Sequence, residues 1–127
     1  EKIQTRNNLN NILNSEDQFQ LLLLGDNIPL ATAGLYHEVG LTKKIPSYKI
    51  YKNWLALVYT VPSHRGKGLG KLICEEIEKV SKQNKITNLY LFTDTAENLY
   101  KRMNWEILER IAYGERNIVI MNKELSD

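Results

Sequence analysis

The sequence predicts a mixed α/β domain built on one sheet, and three observations carry that expectation. Compact apolar runs, rich in β-branched and aromatic residues, recur at 19–25, 30–39, 54–61, 86–93, 105–113 and 116–125. Two stretches with apolar residues at helical spacing, 69–83 and 95–103, fall between them. The 127 residues suffice for one real core but not two, so residues 1–127 read as a single domain. Strands interleaved with helices predict a sheet with mixed pairing, flanked by helices.

Taken in order, Leu9, Ile12 and Leu13 share one helical face, so 3–14 reads as a short helix. "FQLLLLG" and "LATAGLYHEV" are separated by the turn chemistry of "GDNIPL", which makes 19–39 a hairpin. Residues 40–50, with Gly40, Pro46 and Ser47, read as a loop. "WLALVYTV" is a buried strand stopped by Pro62. The helix from Leu69 to about Gln83 places Ile73, Ile77 and Val80 on one face, with Cys74 and Ser81 at its flank. "ITNLYLFT" is another buried strand, and 95–103 is a short helix turning Ala96, Leu99, Tyr100 and Met103 inward. "WEILERIAY" and "RNIVIMNKEL" alternate like strands around Gly114 and close the domain as a hairpin.

Composition excludes several classes. A net charge of +2, with no run of five basic residues, argues against a nucleic-acid binder. One cysteine forms no internal disulfide and fits a reducing, cytoplasmic setting. Leu21–Leu24 is the longest leucine run, far short of a membrane span. The polar, Asn-rich start lacks the apolar core of a signal peptide. The chain does not open on Met, so an N-terminal element is expected to be missing or trimmed.

The informative stretch is "HRGKGLGK" at 64–71. Gly66, Gly68 and Gly70 alternate among Arg65, Lys67 and Lys71, between a buried strand and the start of a helix. There the first N–H groups lack intrahelical partners and the dipole favours negative charge. Glycines let a phosphate approach those N–H groups, and the cations add charge, so the loop reads as an anion cradle. The blander reading is a tight turn with solvated cations. A P-loop is excluded because Gly70-Lys71 is followed by Leu72 and Arg65 stands where the first glycine would be. The dinucleotide fingerprint fails because position 71 is Lys.

What fits is Arg/Gln-x-x-Gly-x-Gly/Ala, present as Arg65-Gly66-Lys67-Gly68-Leu69-Gly70. This resembles the pyrophosphate loop of the GNAT superfamily of N-acetyltransferases. "VYTVPSHRGKGLGK" is similar to that family's fourth strand, its proline and its loop, and "AENLYKRMNW" is similar to its fourth helix. The resemblance runs from about Phe19 to Leu125 and is nearest to small bacterial members, with "NWLA" at 53–56 and "IMNKEL" at 120–125. Two departures stand out: Asn104 replaces the family's glycine before the aromatic residue, and Thr93 replaces an asparagine that touches CoA. Asn tolerates left-handed φ, so the helix end can survive.

The resemblance implies a mostly antiparallel sheet whose fourth and fifth strands splay, with acetyl-CoA as co-substrate and no metal. It implies that Val58, Tyr59 and Thr60 of a bulged strand pair with the pantetheine arm and offer an N–H to the developing oxyanion. Arg65, Gly66, Lys67, Gly68, Leu69, Gly70 and Lys71 are implied to hold the pyrophosphate. Tyr100 is implied to protonate the departing thiolate; its periodicity alone reads as a core aromatic. Glu38, at the end of the strand preceding 54–61, is implied to draw off the amine proton, directly or through water, or to attract a cationic amine, against the plain reading of a solvated hairpin charge. The implied acceptor is an amine-bearing small molecule, peptide or protein, and a homodimer fits such families. His64 reads as a solvent or CoA contact, and Cys74 as a small buried hydrophobe. The missing carboxylate in 54–61 keeps open a non-catalytic acyl-CoA-binding regulatory domain, which turnover with an amine library would separate from an enzyme. A nucleic-acid-binding domain using 64–71 as its basic patch is disfavoured by weak charge and the lack of interleaved exposed aromatics.

Overall fold

In a computed structural model, residues 3–7 and 18–125 are described. The strands are β1 (Ile3–Asn7), β2 (Phe19–Gly25), β3 (Ile28–Tyr36), β4 (Trp54–Thr60), β5 (Asn88–Thr93), β6 (Glu106–Tyr113) and β7 (Arg116–Glu124). The helices are α1 (Gly40–Lys44), α2 (Leu69–Gln83) and α3 (Glu97–Arg102), with short 3₁₀ turns at 46–50 and 62–64. The strands form one seven-stranded sheet in the order β1-β2-β3-β4-β5-β7-β6. Every pairing is antiparallel except β4 with β5. The expected mixed, mostly antiparallel sheet flanked by helices is the observed architecture.

Three local expectations are corrected. Ile3–Asn7 is a strand paired with β2, not the start of a helix, so a strand does precede the 19–36 hairpin. The rest of the expected helix, 8–14, lies outside the described residues. The loop expected over 40–50 holds α1 and a 3₁₀ turn. Here Thr42 is fully buried, and its Oγ1 accepts from Val39 N–H and donates to Val39 O, doing locally what no conventional N-cap residue signals. The strand over 54–61 is buried only at Trp54 and Leu55, while Leu57, Val58 and Tyr59 are exposed.

Two cores sandwich the sheet. On one face, Ile73, Cys74 and Ile77 of α2 and Tyr100 and Met103 at α3 pack against Leu21, Leu23, Ala33, Leu35, Leu89 and Leu91. On the other, Leu41, Trp54, Ile118 and Ile120 are fully or nearly fully buried beneath an aromatic layer that includes Tyr48, Tyr51, Tyr90 and Phe92. Each cluster removes apolar surface at about 25 cal/mol per Å², which fixes both faces of β4 and β5 at the end where they still pair.

Candidate active site

β4 and β5 share a single register pair, Trp54 with Tyr90, and diverge beyond it. On its other side β4 stays on β3, but the register passes from Gly34–Ala56 to Thr32–Tyr59. Leu57 and Val58 therefore stand opposite Ala33 alone, a β-bulge. Leu57 takes φ +56° and is 68% exposed. A left-handed leucine costs about 1–2 kcal/mol, and nothing in the local sequence announces it.

The split leaves a groove of about 590 Å³, lined from β4 by Leu55 to Thr60, from β5 by Leu91 to Thr93, and from the helices by Gly70, Ala96, Leu99 and Tyr100. Gly70 belongs to the first turn of α2, which starts after Gly68 with no side-chain cap and no acidic residue in its first turn. Gly66 and Gly68 have φ +79° and +80°, a conformation that disfavours side chains, and a Cβ at either would meet no atom within 4 Å. The loop thus opens to solvent beside the N–H groups that precede the first intrahelical bond, Leu72 N–H to Gly68 O. Lys67 and Lys71 are exposed there, and Leu69 is buried as the anchor of the turn. This concave set of N–H donors and cations suits a phosphate group. Arg65 is turned back on the strand. Its Nε donates to Thr60 O at 2.9 Å, and its guanidinium lies 5.3 Å from the Tyr59 ring centroid.

Tyr100 sits at the far wall of the groove, 7% exposed. Its position is set by the end of α3. Asn104 takes φ +70°, Asn104 N–H donates to Lys101 O, and Trp105 N–H donates to Tyr100 O, both at 3.0 Å. That is a Schellman ending, with asparagine in the place usually taken by glycine and Trp105 packed edge-on against Tyr100 at 5.9 Å. Burial, assisted by a hydrogen bond with Cys74, pushes the Tyr100 phenol well above its usual range. It stays protonated at neutral pH, the state a proton donor requires. Burial likewise pushes the Cys74 thiol up to about 12, so it is a packed, inert group. Thr93 Oγ1 accepts from Thr95 and Ala96 N–H at 3.3 and 3.0 Å, forming the turn that leads into α3.

Glu38 lies outside this groove. It lines an adjoining cavity of about 350 Å³ with Tyr36, Val39 and Gly40, and that cavity shares Leu55, Ala56, Leu57 and Phe92 with the groove. The structure thus brings Val58, Tyr59, Thr60, Arg65, Gly70 and Tyr100 to one groove, leaves Gly66, Lys67, Gly68, Leu69 and Lys71 outside its lining, and sets Glu38 across the bulge. Ala56, Leu57 and Phe92, the partition between the two spaces, were not singled out by the sequence. Their signal was parity: Leu91 is buried, so Phe92 points to the opposite face. A separate cavity of about 430 Å³ near α3 holds Glu97 and Arg110, which neutralise each other in a two-pronged ion pair. Among the described residues, no group of three or more His, Cys, Asp or Glu side chains could hold a metal ion. No helix among them is long and apolar enough to cross a membrane.

A sheet split between two parallel strands, with a glycine cradle at its foot, is an architecture shared with solved acetyltransferases. A GNAT-family acetyltransferase from Streptococcus pneumoniae is 19% identical, with a TM-score of 0.69 over 89% of this chain and 70% of that one. An aminoglycoside 6'-N-acetyltransferase complexed with coenzyme A is 12% identical, with a TM-score of 0.68 over 87% of this chain and 74% of that one. An IAA acetyltransferase from Bacillus cereus is 12% identical, with a TM-score of 0.70 over 98% of this chain and 100% of that one. No curated protein matches the chain. The acetyltransferase (GNAT) domain family matches residues 22–107, and the chain belongs to that family.

Proposed function

We propose that this protein transfers an acetyl group from acetyl-CoA to a primary amine by direct attack. The observation that carries the reading is the groove itself, which runs from the glycine cradle to Tyr100 along a strand edge that β5 has left. Open glycines, unpaired helix N–H groups and two exposed lysines fit a pyrophosphate, and an unpartnered strand edge fits an extended amide-bearing arm. Residues 66–71 hold the phosphates, Val58, Tyr59 and Thr60 hold the arm, and Arg65, turned back on Thr60 O, braces the strand between them. Bound acetyl-CoA supplies an activated acyl group as a thioester. A bulge N–H donates to the acyl oxygen, where charge develops. The Tyr100 hydroxyl gives its proton to the departing sulfur. Glu38 attracts the cationic amine to the neighbouring cavity and draws off its proton, directly or through water.

The absence of a carboxylate from the groove supports a second reading, a regulatory domain that binds acyl-CoA without turnover. Calorimetric titration with coenzyme A, joined to thiol release across an amine panel, decides between them. Binding with release supports the enzyme, whereas binding without release supports the regulatory domain. Gly68→Val places a branched side chain at φ +80° in the cradle. Losing two charge-assisted hydrogen bonds there should weaken coenzyme A about a hundredfold, with the fold retained by circular dichroism. Unchanged affinity would remove the assignment of the loop.

A further inference from the structure

We infer that the acceptor is a small primary amine with an apolar body and a single positive charge. This rests on the acetyl-transfer reading above and names the substrate class for the cavity across the bulge. That cavity, at about 350 Å³, is near the small end of the roughly 300–1,000 Å³ range of ligand pockets. It is lined by Tyr36, Val39, Leu55, Ala56, Leu57 and Phe92, and Glu38 brings its one carboxylate. Phe92 is a fixed wall, gripped edge-on by Trp54 at 6.3 Å and by Tyr113 at 6.0 Å. The Tyr36 hydroxyl donates to Gln20 Oε1, and Gln20 Nε2 donates onward to Thr32 Oγ1 at 2.6 Å, so the phenol is engaged behind the cavity.

A charge filter stands beside the carboxylate. Lys49 Nζ stands 3.8 Å from Glu38 Oε1, with both side chains about half exposed. One incoming ammonium can share the Glu38 carboxylate. A second would meet the Lys49 charge and find no other carboxylate in the lining. An apolar body gains from burial against the leucines and Phe92, whereas a polyamine or aminoglycoside must leave its remaining cations unpaired.

Saturation-transfer NMR on the protein alone, with 2-phenylethylamine, spermidine and kanamycin, reads the pocket whether or not turnover occurs. The expected result is that 2-phenylethylamine binds at least about tenfold more tightly than either polycation. Equal or reversed affinities overturn the inference. Lys49→Gln should narrow the gap for spermidine, and an unchanged ratio rejects the charge filter. Glu38→Gln should weaken 2-phenylethylamine and leave coenzyme A affinity unaltered, while undiminished amine binding rejects Glu38 as the recognition group. Coenzyme A calorimetry reports separately on the acetyl-transfer reading: its failure leaves the amine preference measurable, and its success alongside a polycation preference sinks only the present inference.

Discussion

The two halves of β4 are built to opposite rules. The first half is locked: Trp54 is fully buried, donates from Nε1 to Tyr51 O at 2.9 Å, and pairs with both Tyr36 and Tyr90. The second half is open, with Leu57, Val58 and Tyr59 exposed and one neighbour instead of two. One seven-residue strand thus carries a rigid root and an unsatisfied edge. The difference shows how a sheet can offer backbone groups to a ligand without becoming loose: the bulge turns the strand only after its start has been fixed by aromatic packing.

The largest expected effect attacks the root. Trp54→Ala empties the centre of the aromatic layer and should cost about 3–5 kcal/mol in urea unfolding, with the groove lost only as the fold is lost. A cost below about 1 kcal/mol would mean that the locked half is not what anchors the split.

Next comes the wall opposite the open edge. Tyr100→Phe removes one hydroxyl and keeps the packing against Trp105. Turnover should fall about a hundredfold, the low end for a general acid because a thiolate is a fair leaving group, while coenzyme A affinity holds steady. Equal turnover by the two proteins would leave Tyr100 as packing alone.

The smallest effect has the opposite sign and sharpens the contrast most. Leu57→Gly relieves a left-handed leucine that is mostly solvent-exposed, and the gain is partly offset by the freedom glycine adds to the unfolded chain. Stability should rise by about 0.5 kcal/mol, and turnover should fall as the bulge loosens. Destabilisation would show that the leucine side chain, not the backbone bend, holds the open half in place.

How far the sequence spoke depends on whether a feature lives in residue type or in tertiary constraint. Asn104 was legible because left-handed backbone restricts residue choice; Gly66 and Gly68 were read as room for a phosphate, and their positive φ is a second reason for glycine there. The α2 span was legible because fifteen residues give a clear apolar period. The β4 bulge was expected only through the family resemblance, because Leu57 is an ordinary residue forced into a rare conformation by its neighbours. The exposure of Val58 and Tyr59 was not legible, since apolar strand residues look the same whether they face a core or a groove. At 3–7 the strand is short and polar, and helical spacing in the residues after it drew the reading the wrong way. At 40–44 the helix is five residues long and held by Thr42, too little for periodicity to reveal. Glu38 was seen, but not the wall that separates it from Tyr100, because that wall is assembled from two strands far apart in the chain.

Behind the groove, the ammonium of Lys123 on β7 touches both helices that flank it. It lies 2.8 Å from Glu78 Oε1 on α2 and donates to Met103 O, at the end of α3, at 2.7 Å. The pair is mostly shielded from solvent, so the attachment is stronger than an ordinary surface contact. In mechanical terms the two helices are covers of a book and this lysine is a stitch in its spine, tying α2 to the end of α3 through one charged group.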